Sequence, residues 1–444
     1  MNDKNENWWR DSLEYSARTD VGMRRQNNQD SYCASPASTP RLYRSRGHLF
    51  VVADGMGAHA AGELASKLAA TCVPQSYLKR TDQAPGDALR DAVLDAHETI
   101  KKRGASDPAF HDMGTTCDAL AITPEGAFIG HVGDSRVYRA RDRVVEQLTF
   151  DHSLVWEMKF YPTSHSAFRQ LDHIPKNIIT RSLGPTEDLK VDLEGPLELR
   201  PRDVFLLCSD GLSGKVKDEE IGQVMELFSP NDATETLVNL ANLRGGPDNI
   251  TVVVARVKSR PDMEALERER SKKDRAYSKR PPLKRGVILG IAAALIFALA
   301  DVLCLVADVK FRGALCAGFT LALVASVVVA ALGARKSRPT PKRDAEPEQR
   351  GAGPYARASA APSEEFAREL AKLCDELCGA LLDNPNYEPD WDGVDRARSQ
   401  ARTALESKDY ARAIRANVGV VNYLMREVRK YAEKARKTKR HELA

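Results

Sequence analysis

The stretch "HLFVVADGMG", residues 48–57, is the clearest sign of how the first half of this 444-residue chain folds. Its unbroken apolar run is typical of a strand in a protein interior, yet it leads directly into Asp54 and Gly55. A second stretch, "VFLLCSDGLS" (204–213), repeats this order, and "AFIGHVGDSR" (127–136) is a variant of it. A single Asp-Gly pair after a strand is most simply a turn. Three apolar strands that each end in an aspartate need a further explanation.

Around these stretches, residues 13–258 alternate between short β-branched or aromatic runs and Ala/Leu-rich runs with helical spacing. Short turns such as "TPEG" and "ARDR" favour antiparallel pairing with helices packed outside. The sequence therefore predicts an α+β layered domain. The predicted strands include "LFVVAD", "CDALAIT", "AFIGHVG", "SRVYRAR", "VFLLCSD" and "NITVVVARV". The predicted helices include "AGELASKLAATCVPQSYL", "DALRDAVLDAHETIKKR" and "TETLVNLANLRG".

We expect the aspartates at the strand ends to share one site. Asp54, Asp134 and Asp210 follow apolar strands, whereas Asp248 begins one. Antiparallel neighbours bring the end of one strand beside the start of the next, so these side chains should meet at one edge of the sheet. Two carboxylates about 4 Å apart repel by about 4 kcal/mol at an effective dielectric constant of about 20. Divalent cations would offset that repulsion, and all-oxygen ligation favours Mg²⁺ or Mn²⁺ over zinc. Gly55 has no Cβ, so its carbonyl could approach an ion closely.

The stretch "RTDVGMRRQNNQDSY" (18–32) supplies a candidate phosphate ligand. Arg25 and Asp30 are separated there by an Asn- and Gln-rich turn. An arginine near two divalent cations suits a phosphate, because the guanidinium binds two oxygens while the metals bind others. By position alone, an ordinary surface arginine is the simpler interpretation.

Eight segments follow one another in the order of a known family: "TDVGMRRQNNQDSY", "LFVVADGMGAHAAGELAS", "MGTTCDALAI", "HVGDSRVYR", "LTFDHS", "IPKNIITRSLG", "FLLCSDGLS" and "GGPDNITVVVARV". Together they resemble the bacterial form of the metal-dependent Ser/Thr protein phosphatases, the type 2C or PPM family, over residues 13–258. The resemblance implies an antiparallel β-sandwich flanked by helices, with the metal ions at one end. It also implies hydrolysis of phosphoserine and phosphothreonine by metal-activated water, without a phosphoenzyme intermediate.

The resemblance assigns a role to each aspartate at a strand end. Asp54 would bridge two ions, Mn²⁺ or Mg²⁺, and the Gly55 carbonyl would bind one of them. Asp210 and Asp248 would complete the shell of the other ion. Asp134 matches the position that holds a third ion, together with Asp210, in bacterial members.

Arg25 matches the phosphate-binding arginine of the family, and Asp30 matches an acidic residue that orients metal-bound water. Three positions depart from the common pattern. Gln29 replaces an acidic residue, which weakens a water-mediated metal contact, and Ala58 replaces a glycine. Met56 stands where many eukaryotic members have a histidine, so a metal-bound water is expected to protonate the leaving group.

After the phosphatase-like region, the sequence predicts a membrane anchor. A charged linker (259–285) precedes two apolar runs, 286–306 and 313–334, each near the roughly 20 residues that cross a bilayer as a helix. The alternative is a pair of buried core helices, which fits less well with the strongly basic outer flanks. A Pro/Ala/Gly-rich linker (335–361) then leads to a helical C-terminal region, 362–440.

The basic flanks also predict an orientation. Because Lys and Arg cluster outside the hairpin, both flanks should face the cytoplasm. The expected protein is a multi-pass plasma-membrane protein with its phosphatase domain and C-terminal region in the cytoplasm. The start of the chain lacks the apolar stretch of a secretory signal. Asp301, in the first apolar run, could mark an ion path, although its place in the last third of the run favours an interfacial position.

The composition argues against some classes of partner. The net charge of +4, from 66 basic and 62 acidic residues, argues against general nucleic-acid binding, and the catalytic region lacks the aromatic-basic groove expected of a nuclease. The eight cysteines suit a reducing cytosol, and none has the arginine spacing of a cysteine-nucleophile phosphatase. The resemblance implies phosphorylated Ser/Thr proteins and a cognate kinase as partners, and the C-terminal helices are expected to bind an unidentified protein. The alternative is a weak or inactive membrane signalling adaptor, which the complete set of aspartates disfavours.

Overall fold

A computed structural model describes the chain in several ranges: 8–57, 60–160, 175, 178–258, 353–382, 384 and 386–442. The chain divides into two compact units, one of residues 1–259 with 349–444 and the other of residues 260–348. The predicted linker 259–285 and the predicted membrane spans 286–306 and 313–334 lie outside the described residues. Within the described ranges, no helix combines the length and apolar character needed to cross a bilayer.

Two antiparallel sheets form the centre of the first unit. The first sheet has the strand order β1-β11-β10-β7-β8-β12, and the second has the order β2-β3-β5-β6-β9 with β4 paired to β3. The strands are β1 Leu13–Asp20, β2 Asp30–Ser35, β3 His48–Met56, β4 Gly114–Thr115, β5 Cys117–Thr123, β6 Gly126–Val132, β7 Arg136–Arg141, β8 Val144–Gln147, β9 Asp192–Leu197, β10 Val204–Cys208, β11 Ile250–Val257 and β12 Ala356–Ser359. The predicted sandwich of sheets and helices is thus confirmed.

Side-chain alternation explains why the central strands are apolar throughout. In β3, Phe50 and Val52 face the other sheet, whereas Leu49 and Val51 face helices. Successive residues of a strand point to opposite faces, so a strand covered on both sides carries no polar alternation. This is the physical basis of the unbroken "LFVVA" run.

Helices cover both outer faces of the sandwich. The α-helices of the described ranges are α1 Trp8–Asp11, α2 Pro40–Arg46, α3 Ala61–Lys79, α4 Pro85–Ser106, α5 Leu154–Phe160, α6 Asp210–Ser213, α7 Asp218–Leu227, α8 Pro230–Leu243, α9 Glu364–Leu382, α10 Trp391–Glu406 and α11 Tyr410–Glu442. Local sequence fixes several of their ends. In α8, for example, Pro230 stands in the first turn and the Ser229 hydroxyl accepts a hydrogen bond from the Asp232 N–H.

The C-terminal segment belongs to the same folded unit as the sandwich. Strand β12 extends the first sheet by pairing with β8, with Ala356 opposite Gln147 and Ser359 opposite Val144. The prediction of a linker over 335–361 is therefore wrong at its end, because this short strand pairs with a partner far away in the sequence. The predicted boundary of the phosphatase domain, 13–258, stays a prediction.

Candidate metal centre

The acidic residues of the second sheet are brought together by strand register. Strands β2 and β3 pair so that Asp30 lies directly opposite Asp54. Asp54 follows Phe50 and Val52 on the face that looks toward the first sheet. It therefore points into the end of the sandwich, between the two sheets.

The first sheet brings its aspartates to the same end. Cys208, the last residue of β10, pairs with Val252 near the start of β11 and with Arg136 at the start of β7. Asp210 therefore comes near both Asp248 and Asp134. The prediction that the aspartates share one edge of one sheet is wrong, because two sheets contribute to one end of the sandwich. The expected convergence itself is present.

The pKa values of the carboxyl groups show how strongly they interact. Burial raises the pKa of Asp54 well above its ordinary value, and the charges of Asp30, Asp210, Asp134 and Asp248 raise it further. Burial and then the charge of Asp210 raise the pKa of Asp134 to about 7. The pKa values of Asp30 and Asp210 are raised in the same way. Without a cation, these groups therefore resist being ionised together.

The donor atoms fit a hard divalent cation. Oδ1 of Asp30 and Oδ1 of Asp210 are buried and accept no hydrogen bond from the described residues, which is costly for a polar atom. Oxygen donors of this kind suit Mg²⁺ or Mn²⁺. Within the described part of the chain, no three acidic, histidine or cysteine side chains already surround a single ion position. Ligation would therefore require the carboxylates to turn toward a common point.

Gly55 has a packing role in addition to any contact with an ion. A Cβ at this position would lie 2.1 Å from the Gly62 carbonyl oxygen and 2.6 Å from that of Gln29. Its N–H donates to the Gln29 carbonyl at 3.1 Å. Only glycine therefore allows β3, the start of α3 and the loop before β2 to approach this closely. The predicted use of the Gly55 carbonyl as a ligand stays a prediction.

Arg25 lies at the rim of the cluster. Its Nη2 donates to Oδ2 of Asp248 at 2.8 Å, and half of its side chain is exposed to solvent. The hydrogen bond and charge of Asp248 raise the pKa of Arg25, and the charges of Asp54 and Asp210 add to this effect. The guanidinium therefore stands between the carboxylates and solvent, where an incoming phosphate would meet it.

Sequence reasoning missed the residues that hold the cluster in place. The Asn249 side chain accepts from the Gln29 N–H at 2.8 Å and donates to the carbonyls of Val21 and Asn27 at 2.9 and 3.0 Å. It thereby clamps the loop that carries Arg25. The signal was its place directly after Asp248, in the "PDNI" segment.

Hydroxyl groups fix two of the aspartates. Ser209 Oγ donates to Oδ2 of Asp30 at 2.7 Å. Thr116 Oγ1 accepts from the Asp54 N–H at 2.9 Å, and Thr115 Oγ1 donates to the Asp54 carbonyl at 2.8 Å. The segment "GTT" (114–116) is part of the family resemblance, but its sequence gives no sign of a contact with Asp54.

A cavity of about 420 Å³ adjoins the cluster. Asp134 and Asp210 line one part of it, and Arg136, Asp151 and Trp156 line another. Arg136 forms a forked ion pair with Asp151, with N–O distances of 2.7 to 3.0 Å. Residues 148–180 resemble the flap beside the active site in the type 2C phosphatases, and we call them the flap region. They contribute Asp151 and Trp156 to this cavity, and much of the flap region lies outside the described residues.

Comparison with known proteins gives a consistent result. A family model for protein phosphatase 2C matches residues 24–242. Protein phosphatase PhpP of Streptococcus pneumoniae is 36% identical over 258 residues, which cover 54% of this chain and 96% of PhpP. Serine/threonine protein phosphatase PstP of Mycobacterium tuberculosis is 35% identical over 252 residues, which cover 55% of this chain and 45% of PstP.

Solved structures are also similar. The crystal structure of the catalytic domain of a PstP phosphatase in complex with two manganese ions is 34% identical, with a TM-score of 0.46, and the match covers 56% of this chain and 99% of that domain. The identity to PhpP, over nearly its whole length, accords with the carboxylate cluster between the sheets. The chain belongs to the protein phosphatase 2C family, the metal-dependent serine/threonine protein phosphatases.

Proposed function

We propose that this chain is a membrane-anchored enzyme that removes phosphate from phosphoserine and phosphothreonine in proteins, opposing Ser/Thr kinases in signalling. The observation that supports it most is the set of buried carboxyl groups from two sheets, whose charges raise the pKa of Asp54, with a half-exposed arginine at the rim. Buried acidic groups that raise one another's pKa are expensive to maintain, so they mark functional sites.

The cluster divides into metal ligands and groups that handle the phosphate. Asp54, Asp210 and Asp248 would hold two Mn²⁺ or Mg²⁺ ions, and Asp134 with Asp210 would hold a third. When bound, such ions supply positive charge and a water of lowered pKa for hydrolysis.

Arg25 would bind the phosphoryl oxygens. Its guanidinium already donates to an Asp248 oxygen at 2.8 Å, and a phosphate dianion offers it the same kind of acceptor in a bidentate arrangement. Asp30 would orient a water molecule, because Ser209 fixes its Oδ2 and leaves Oδ1 as an available acceptor. The contacts of Arg25 with the phosphoryl oxygens would stabilise charge on the transferring group.

The environment of the cysteines supports hydrolysis without a phosphoenzyme. Burial raises the pKa of the Cys117 and Cys208 thiols far above the ordinary value, so both stay protonated and weakly nucleophilic. Cys208, which ends β10 close to the cluster, faces the helices on the outer side of its sheet.

Membrane anchoring is proposed from the two apolar runs of the sequence, and the return of the chain to one folded unit limits how many times the chain can cross. Residues 258 and 353 both belong to the unit that contains the sandwich. A chain that leaves and re-enters one folded unit can cross a membrane only an even number of times. Two spans at 286–306 and 313–334, with the sandwich and C-terminal helices in the cytoplasm, meet this requirement.

The test is Mn²⁺-dependent hydrolysis of a phosphothreonine peptide by the full chain in detergent. We expect turnover with Mn²⁺ and a loss of at least about a hundredfold in Asp54→Asn, because the substitution removes a ligand charge. Asp82→Asn, the same change at an exposed loop position, should retain full activity. No turnover by the unchanged protein with either Mn²⁺ or Mg²⁺ would favour the adaptor interpretation.

A further inference from the structure

The C-terminal segment of the folded unit, which the structure describes from residue 353, lies against Gln147 and Phe150 near the start of the flap region. The Tyr355 N–H donates to the Gln147 carbonyl at 2.9 Å, and its hydroxyl donates to Oε1 of Glu194 at 2.7 Å. Its ring lies edge-on to that of Phe150, with centroids 5.5 Å apart. Tyr355 therefore joins β8 of one sheet to β9 of the other and covers an aromatic ring between them.

The ring contact continues into helix α5. Phe150 lies edge-on to Trp156 and Phe160, with centroids 5.6 and 5.3 Å away, and Trp156 stacks on Phe160 at 5.1 Å. We call Phe150, Trp156, Phe160 and Tyr355 the flap cluster. No residue of α5 is fully buried, and the flap cluster packs Trp156 and Phe160 of this helix against Phe150.

Two sets of contacts connect the flap cluster to Arg136 beside the metal centre, one through Trp156 and the other from Tyr355 through Gln147 and Asp151. Trp156 has the Arg136 guanidinium 5.4 Å from its ring centroid. On the polar side, Gln147 Nε2 donates to Oδ1 of Asp151 at 2.8 Å, and Asp151 holds Arg136 in the forked ion pair. Arg136 shares the 420 Å³ cavity with Asp134.

We propose that Tyr355 is a positioning residue for the phosphatase reaction. Although Tyr355 follows residues 259–352 in the chain, it holds α5 and Arg136 against the cavity where a substrate protein would enter. The C-terminal segment, which lies outside the residues that the family model matches, thereby helps to set substrate binding. This inference rests on the proposed function.

The test compares variants of the full chain in detergent with Mn²⁺. Tyr355→Ala should raise KM for a phosphothreonine peptide about three- to tenfold, the equivalent of roughly one aromatic contact, and should change kcat for p-nitrophenyl phosphate less than about twofold. Tyr355→Phe keeps the ring and should restore most of the KM. Tyr410→Ala, which removes a tyrosine of the same segment bonded to Glu364 instead, should leave KM unchanged.

A second readout does not need activity. Amide hydrogen exchange in residues 150–160 should be faster in Tyr355→Ala and unchanged in Tyr410→Ala. If the unchanged protein has no turnover but exchange responds in this way, the proposed function fails and the positioning contact stands. If the protein is active and Tyr355→Ala alters neither KM nor exchange, or Tyr410→Ala raises KM equally, the inference is overturned.

Discussion

The two outer faces of the sandwich are covered differently. The face of the second sheet packs on α3 and α4, both from the part of the chain that the family model matches. The face of the first sheet packs on α7 and α8, and side chains from α9 to α11 join the same core. One face is thus complete within the family's own domain, whereas the other shares its core with a segment that follows the insertion.

The shared core has a polar boundary that fixes its arrangement. Arg244 at the end of α8 bonds to Glu220 and also to Glu369 of α9. Between α8 and α11, the buried Asn239 side chain donates to Asn422 at 2.8 Å. Buried and paired polar groups favour one docking geometry over others. The C-terminal helices are therefore specifically seated on the catalytic unit.

The largest expected change in Tm comes from deleting the C-terminal segment. A chain that ends at residue 258 loses β12 and α9 to α11, which leaves the β8 edge unpaired and exposes apolar side chains such as Val145 and Ile221. We expect its Tm to fall by more than about 10 °C.

The control keeps the segment and removes only the insertion. Replacing residues 259–352 by about 20 Gly/Ser residues provides a linker that reaches about 25 Å on average. This variant should keep its Tm close to that of the full chain. Equal Tm values for the truncated and the linker proteins would show that the C-terminal segment adds nothing to the core.

A smaller perturbation compares one buried side chain on each face. Phe366 of α9 is 2% exposed, and Leu89 of α4 is fully buried. Each should lose about 3 kcal/mol of unfolding free energy when replaced by alanine, because a cavity forms in a close-packed core. Chemical denaturation measures both changes. A loss below about 1 kcal/mol for Phe366→Ala alone would mean that the C-terminal helices are loosely docked.

Lowering the pH should remove the stabilising contribution of His152, on the catalytic side, before it removes that of the C-terminal interface. Burial lowers the pKa of His152 to about 4 against an opposing hydrogen bond with Asp192, and the Gly133 N–H donates to its Nδ1, so the ring is neutral. A depressed pKa gives stability that is full above the unfolded value of about 6.5 and is lost as the pH falls toward 4. The contribution of His152 to the free energy of unfolding should therefore fall by about 2 kcal/mol between pH 7 and 5.

The C-terminal interface should respond only at lower pH. Burial works against ionisation of Glu220, but the hydrogen bond and charge of Arg244 hold the pKa of Glu220 below its ordinary value. Its contribution is lost only as the pH falls below about 4.5. Urea unfolding measures the change in unfolding free energy from pH 7 to pH 5. That change should be about 2 kcal/mol more favourable in His152→Gln than in the unchanged chain, whereas Glu369→Gln should behave like the unchanged chain. The same change in His152→Gln as in the unchanged chain would contradict this assignment.

Sequence alone predicted the features that are local or strongly periodic. The apolar strands around Asp54 and Asp210 were found because both of their faces are covered. Their assignment to one sheet was wrong, because the two runs look alike and strand order depends on distant pairing. Strand β12 was missed because "ARAS" is short, contains small residues and pairs across more than 200 positions.

The candidate site was predictable in part for the same reason. Asp54, Asp134, Asp210 and Asp248 could be proposed because carboxylates at strand ends are unusual. The supports, such as Asn249 and Thr116, act through backbone contacts that leave no pattern in the sequence. Tyr355 lies outside the resemblance altogether.

The most direct test of the carboxylate cluster is the Tm of the full chain in detergent, with EDTA and with millimolar Mn²⁺, for the unchanged protein and for Asp54→Asn. Because a bound cation relieves the repulsion between the carboxylates, Mn²⁺ should raise the Tm of the unchanged protein. Asp54→Asn should be at least as stable as the unchanged protein in EDTA and should gain little from Mn²⁺. An equal Mn²⁺ response in both proteins, or none in either, would contradict a metal centre at this end of the sandwich.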